Sequence, residues 1–598
     1  MRSIKVNLLA AAIVCFAAIG IFADPASAQT LGSDPVFTTD IASTPDGDLV
    51  LANKGNSSVE MWSPDFKNKK SSWKFDDYPT GVTVGNGKIY ATTFTDIRGQ
   101  LHIIDIASGK LEKSIEAGSG ANAPVLSKDG KKIYVLNFYA GDIYEIELPA
   151  GVVKRKVKVL REPKGAVISP DGKYLYSTNF QPQQRADIDY VAADVSVIDL
   201  DSFMKVKDLK LGNGSNALRG ISLSEDGDYV FVSHNLGRFQ VPTSQLQQGW
   251  MNTSAMSIID VKTNEYVGTV LLDEPERGAA GIWDIKTAAG KIVITHSGTH
   301  DVSVVDYAAM IDRLKNYKGD NETLAIELQF LYGIRDRIVL KGNGPRKMAV
   351  VGDKVYIPTY FSDTLNVLSL ADNSVGIVPL VANRKETIAQ KGERYFNDAT
   401  FCFQNWQSCN GCHPGDARAD GMNWDLMNDA IGNPKNCKSL LYSHVTPPSM
   451  ISGIRESAEL AVRRGFQHIQ FYDAPEEVYT AVDEYCKALE AVPSPYLVNG
   501  ELSDKAKKGR KVFEKFSCDR CHSGPYYTDM KMHRIGEDVE FEKGWDTPTL
   551  REVWRTAPYL FDGRAATMRE VFEVHKHGIE SNITATELDQ LVEYVNSL

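Results

Sequence analysis

The chain has 598 residues, too many for one hydrophobic core, so about two to four domains are expected. It is 43% hydrophobic and 24% charged, the balance of a water-soluble globular protein. A formal net charge of −11 with no long basic run excludes a general nucleic-acid binder.

Residues 1–28 read as a secretory signal peptide. Arg2 and Lys5 give a basic start, Val6 to Phe22 is apolar, and Ala26-Ser27-Ala28 supplies a small-x-small cleavage site. The apolar stretch is short for a membrane span, and no other long apolar run follows. The mature chain is therefore expected to be exported to the periplasm or cell surface and not to span a membrane. Spare thiols there can oxidise.

Residues 31–380 read as β-structure. The turns Asp46-Gly47, Asn86-Gly87, Asp129-Gly130, Asp171-Gly172, Asp226-Gly227, Ala289-Gly290 and Gly352-Asp353 each precede a short apolar run such as Lys88–Ala91, Lys132–Val135 or Lys354–Ile357. Asx-Gly suits tight hairpins because both residues tolerate positive φ. The turns recur at about 40 to 43 residues, then at about 55 to 64. A period near 40 with four short strands per unit predicts a β-propeller, here with seven blades. Insertions near 181–192, 237–254 and 307–336 account for the longer late spacings, and 307–336 carries a helix-like pattern.

From Lys385 the pattern turns helical and repeats once. Lys385–Asn397 with Gly392 corresponds to Lys505–Phe516 with Gly509, and each leads into a Cys-x-x-Cys-His motif. Each half also ends in a similar helix, 482–489 and 591–598, and Thr584 with Glu587 forms a capping box. Val492-Pro493-Ser494-Pro495 is a stiff linker. The expected fold class is thus multidomain: an all-β seven-bladed propeller, then two all-α cytochrome c domains at 385–495 and 500–598.

The motifs are Cys409-Asn410-Gly411-Cys412-His413 and Cys518-Asp519-Arg520-Cys521-His522. Two thiols separated by two residues span one edge of a porphyrin and add to its vinyl groups; the following histidine becomes the proximal ligand. Two covalent haem c groups are therefore expected, with His413 and His522 on their irons. Five further histidines lie in this third of the chain: His444, His468, His533, His575 and His577. His575, downstream of the second motif, and His468, at a comparable place after the first, are the candidate sixth ligands; either is also readable as a surface histidine. Cys402 and Cys437 flank the first motif and are readable as a disulfide or as free thiols, whereas Cys486 reads as a buried thiol.

Residues 385–598 resemble the bacterial di-haem cytochrome c peroxidase and MauG family. The resemblance rests on 546–553 and 556–564 in the second half, and on 432–436 and 446–448 in the first. Residues 31–380 resemble exported YVTN-type propellers. The family resemblance implies one haem where peroxide reacts, usually the N-terminal one, and one that receives electrons. It places His575 where the peroxidases carry methionine and MauG carries tyrosine; histidine lowers the haem potential relative to methionine. The family's Trp-Asp-Gly-Arg segment reads Ser452-Gly453-Ile454-Arg455 here. The resemblance also implies a calcium ion between the domains, without identifying its ligands.

Three functions compete. In the first, peroxide is reduced, or used to oxidise a partner, with His468, Glu456 or Glu459 as the acid–base group. In the second, the protein only relays electrons, and the propeller docks a small redox protein or other periplasmic donor. In the third, the propeller is itself a dehydrogenase or metal-binding enzyme that feeds electrons into the haems, with His234, His296 and His300 reaching its mouth as metal ligands.

Overall fold

The computed structural model describes residues 32–95, 98–240, 251–426, 434–535, 542–579 and 582–598. The expected signal peptide, and part of the 237–254 insertion, lie outside these. None of the described helices is long and apolar enough to cross a membrane.

Seven antiparallel sheets follow one another along the chain, spanning 38–74, 78–117, 121–158, 163–210, 215–271, 282–339 and 349–379. Six have four strands in sequence order, and the fifth has five. This is the seven-bladed propeller. The turn glycines take the conformation that the hairpins demand: Asn86 and Gly87 have φ of 53° and 70°. The second and third strands of each blade are buried on both faces by their neighbours, as in Leu49–Asn53. The fourth strands, such as Leu111–Ala117, are largely exposed.

Each blade consists only of consecutive strands, so no shared strand closes the ring. Closure comes from packing of Val36, Ile41 and Leu49 in the first blade on Ala349, Tyr356 and Leu365 in the last. Phe37 N–H also donates to Asp363 Oδ1 at 2.9 Å. The 307–336 insertion forms the helix Tyr307–Lys315 and a further turn at Asn321–Leu324.

The helical third repeats a helix pair. The helix Ile388–Phe396, opened by a Thr387/Gln390 capping box, crosses Glu476–Lys487. Asp504–Lys515 crosses Ala585–Asn596 in the same way. Each crossing requires a glycine: a Cβ on Gly392 would lie 1.8 Å from Ala481 O, and one on Gly509 1.9 Å from Gln590 O. The region is not purely helical. Two-residue ladders pair 423–424 with 435–436, and 532–533 with 545–546.

The repeats embrace reciprocally. Asn436 N–H donates to Phe561 O at 2.7 Å, and Asp546 N–H to Ile451 O at 2.9 Å. Buried Arg418, Glu552, Arg555 and Glu162 form a chain of ion pairs at 2.9, 3.1 and 2.7 Å, which joins both repeats to the propeller. The helical region sits on one propeller face. Its contacts include Arg161 with Ala557 O, Gln181 with Ala419 O, Asn252 with Cys412 Sγ and His300 with Asp398.

Candidate functional site

Cys409–Cys412 forms one helical turn, so the two thiols fall on one side; Cys518–Arg520 is a tighter turn of the same kind. His413 N–H and His522 N–H close these turns onto Cys409 O and Cys518 O at 3.0 and 2.9 Å. His413 Nδ1 lies 3.2 Å from Arg418 O, and His522 Nδ1 lies 3.1 Å from Tyr527 O. A carbonyl can only accept, so Nδ1 carries the proton in both rings and Nε2 keeps its lone pair. Burial pushes His413 down to about 4 and lowers His522, so both imidazoles are neutral, the form that binds metal.

The cysteines are free thiols. Burial pushes Cys409 up to about 12 and Cys518 up to about 11. Neither is a thiolate at neutral pH in the free protein. Cys402 and Cys437 are unpaired too. Cys437 Sγ sits 3.1 Å from Cys412 O and 3.5 Å from His413 Nδ1, and Cys486 is buried.

Each motif opens onto a cavity. The first, ≈ 590 Å³, is lined by Cys409, Cys412, His413 and apolar groups including Met251, Trp424 and Phe466. The second, ≈ 280 Å³, is lined by Cys518, Cys521, His522, Trp545, Phe561 and Phe572. They share a wall made of 436–439, Ile451 and 546–549. Within the second cavity Trp545 stacks on Phe561, 4.2 Å between ring centroids.

The other candidates divide. His468 lines the first cavity from an exposed position at the end of the helix Ala458–His468. His575 is not among the residues lining the second cavity; His577 is, and its ring faces His522 at 6.3 Å between centroids. Burial, with His522 adding, pushes His577 down to about 4. Neither Glu456 nor Glu459 lines the first cavity, whose acidic lining residue is Asp546, paired with Lys438 at 3.2 Å. His234 and His296 are packed separately inside their blades, bonded to Ser257 and Ser303, while His300 pairs with Asp398. They do not converge on a metal. Among the described residues, the Cys/His/carboxylate cluster with metal spacing is Cys521, Asp529 and His533, which spends a motif cysteine.

Sequence reasoning gave His444 no role. It lines the first cavity and pairs with Asp483 at 3.0 Å, both side chains being buried. The partners are 39 residues apart, and no local pattern announces them.

The residues fit the expected group. Each cavity presents a thiol pair, a neutral imidazole with a free Nε2 and an apolar lining. His577, whose ring faces His522 across the second cavity, would be placed to offer a second nitrogen ligand to the group that His522 holds.

No protein-family model matches the chain. It is 27% identical to hydrazine synthase subunit gamma of Kuenenia stuttgartiensis over 36% of this chain and 78% of that protein. It is 20% identical to cytochrome c551 peroxidase of Nitrosomonas europaea over 38% and 84%, and 22% identical to methylamine utilization protein MauG of Methylophilus methylotrophus over 31% and 72%. Among solved structures, Kuenenia stuttgartiensis hydrazine synthase aligns with a TM-score of 0.50 at 20% identity, covering 59% of this chain and 98% of that one, a likeness of fold. Over part of its length the chain therefore resembles the di-haem cytochrome c peroxidase and MauG family and the hydrazine synthase subunits.

Proposed function

We propose that this chain is an exported di-haem c-type cytochrome of the peroxidase type, with two cytochrome c domains carried on a propeller. Cys409, Cys412 and His413 would hold the first haem; Cys518, Cys521, His522 and His577 would hold the second. Haem c supplies one-electron redox chemistry and, where its sixth position is open, a site for peroxide.

The observation that carries this reading is an asymmetry between otherwise repeated sites. His577 faces His522 across the smaller cavity. Among the described residues, no histidine ring packs against His413 across the larger one: His444 is held by Asp483, and His468 stays at the exposed rim. The first site is thus the open, reactive one, and the second is closed and relays electrons from a periplasmic redox partner. The protein positions both: Arg418 O and Tyr527 O fix the proximal rings, and the common wall brings the cavities together.

One observation favours a pure electron-transfer reading. Both ring nitrogens of His444 are engaged, by Ser443 and Asp483, and Asp546 is tied to Lys438. His468 is then the remaining acid–base group at the first cavity.

The test is the holoprotein matured in a host able to attach haem c. The expected result is a mass increase of two haems, with one high-spin and one low-spin ferric iron, and turnover of hydrogen peroxide with a reduced donor. Two permanently low-spin irons indifferent to peroxide leave only the relay; absence of haem overturns the reading entirely.

A further inference from the structure

An arc of alternating cations and aromatic rings runs around the propeller mouth, beneath the helical region. Lys164 Nζ lies 5.0 Å from the Phe138 ring, which packs on Phe180 at 5.7 Å. Arg219 lies 5.3 Å from Phe180 and 4.7 Å from Trp283. Arg346 lies 4.0 Å from the same indole and 3.7 Å from Tyr360. The blades that span residues 121 to 379 contribute in turn.

Aromatic faces stabilise these cations far less than an ion pair would. Among the described residues, no carboxylate lies within ion-pair distance of any of the three. Arg219 is 2% exposed and donates to Asn410 Oδ1 at 2.8 Å. Arg346 Nε is buried without a hydrogen-bond partner. Burial, with Lys347, Arg219 and Arg346 adding, pushes Lys164 down to about 8; burial and Arg346 push Arg219 down to about 9. The carboxylates of the helical side, Asp416 and Glu393, act first on Lys54, while Glu393 also acts on Arg346 and Asp416 on Lys164 from beyond ion-pair distance. Lys164 and Arg346 are only partly buried. Cations set along one arc with no carboxylate in direct contact are the chemistry of an anion site.

We propose that Lys164, Arg219 and Arg346 form a binding site for a small monovalent oxyanion, of carboxylate or nitrite type, between the propeller and the helical region. The site is separate from both Cys-x-x-Cys-His cavities but touches the first motif through Asn410. Arg346 supplies a donor now without a partner, and Trp283 holds both guanidiniums in place.

The test is titration calorimetry of the holoprotein in low-salt buffer, with formate and nitrite as probes and the Soret band recorded in parallel. The expected result is saturable binding of at least one probe without a Soret shift, weakened tenfold or more in Arg346→Gln and in Lys164→Gln. Each variant's fold is checked by circular dichroism, and Lys164→Gln alone decides if Arg346→Gln does not fold. No saturable binding, an affinity changed less than threefold in a folded variant, or binding that always shifts the Soret band overturns the proposal; the last places the anion on iron.

Discussion

His577 faces His522 with ring centroids 6.3 Å apart and an interplanar angle of 51°, although the two residues lie 55 positions apart in the chain. Their cavity is the smaller of the two, and the first motif has no such counterpart among the described residues. On this pairing rests the proposed closed state of the second site.

Replacing His577 should open that site. His577→Ala is expected to convert the low-spin ferric signal of the second haem to high-spin, while His575→Ala leaves it unchanged. Electron paramagnetic resonance of both variants checks this, and an effect of His575→Ala alone would reverse the assignment.

The glycine crossings should tolerate no side chain. In Gly509→Ala the new methyl meets backbone at 1.9 Å. Overpacking of this kind costs about 1–3 kcal/mol or more. Gly392→Ala should behave alike. Gly465, within the helix Ala458–His468, serves as the control, because a methyl there would meet nothing within 4 Å. Gly465→Ala is expected to be neutral or to stabilise by up to about 1 kcal/mol. Thermal melts of the three variants rank them.

The buried ion chain should be costly to break. Glu552→Gln leaves Arg418 and Arg555 short of a counter-charge, at about 3–5 kcal/mol. Burial alone would raise the Glu552 carboxyl, but Arg418 and Arg555 hold it below its usual 4.5. Its contribution is therefore complete above about pH 4.5 and lost as pH falls through the depressed folded value. The stability gap between wild type and variant should be constant near neutrality and narrow in acid, as denaturant melts across pH would show.

Asp420 should act with the opposite sign. Burial pushes its carboxyl up from 3.8 to about 7, despite hydrogen bonds from Trp424 Nε1 at 2.8 Å and Met422 N at 3.0 Å. The folded state keeps a proton that the unfolded chain releases, so this stability is present below about pH 3.8 and declines as pH rises to about 7. Asp420→Asn should gain stability relative to wild type between pH 5 and pH 8. A flat difference across that range would contradict the buried, titrating carboxyl.

Much of the fold was legible because its signals are local. Asx-Gly turns fix hairpins by the φ they tolerate, and Thr584 with Glu587 marks a helix start as predicted. Where the chain leaves regular structure, counting failed. The helix Met568–Glu573 stops, Lys576 takes φ 52°, and His577 N–H closes back onto Val571 O. That reversal puts His577, not His575, into the cavity. A helical extrapolation cannot anticipate it.

The thiol-pair spacing, the following histidines and the seven hairpin repeats are contiguous in the chain, and their chemistry is set by bond lengths and backbone torsions within a few residues. Which histidine faces His522, which cavity stays open, and how Lys164, Arg219 and Arg346 come to lie along one arc depend on segments tens to hundreds of residues apart. Such proximities are chosen by how blades and helix pairs bury their apolar faces, and no short stretch of residues encodes that packing.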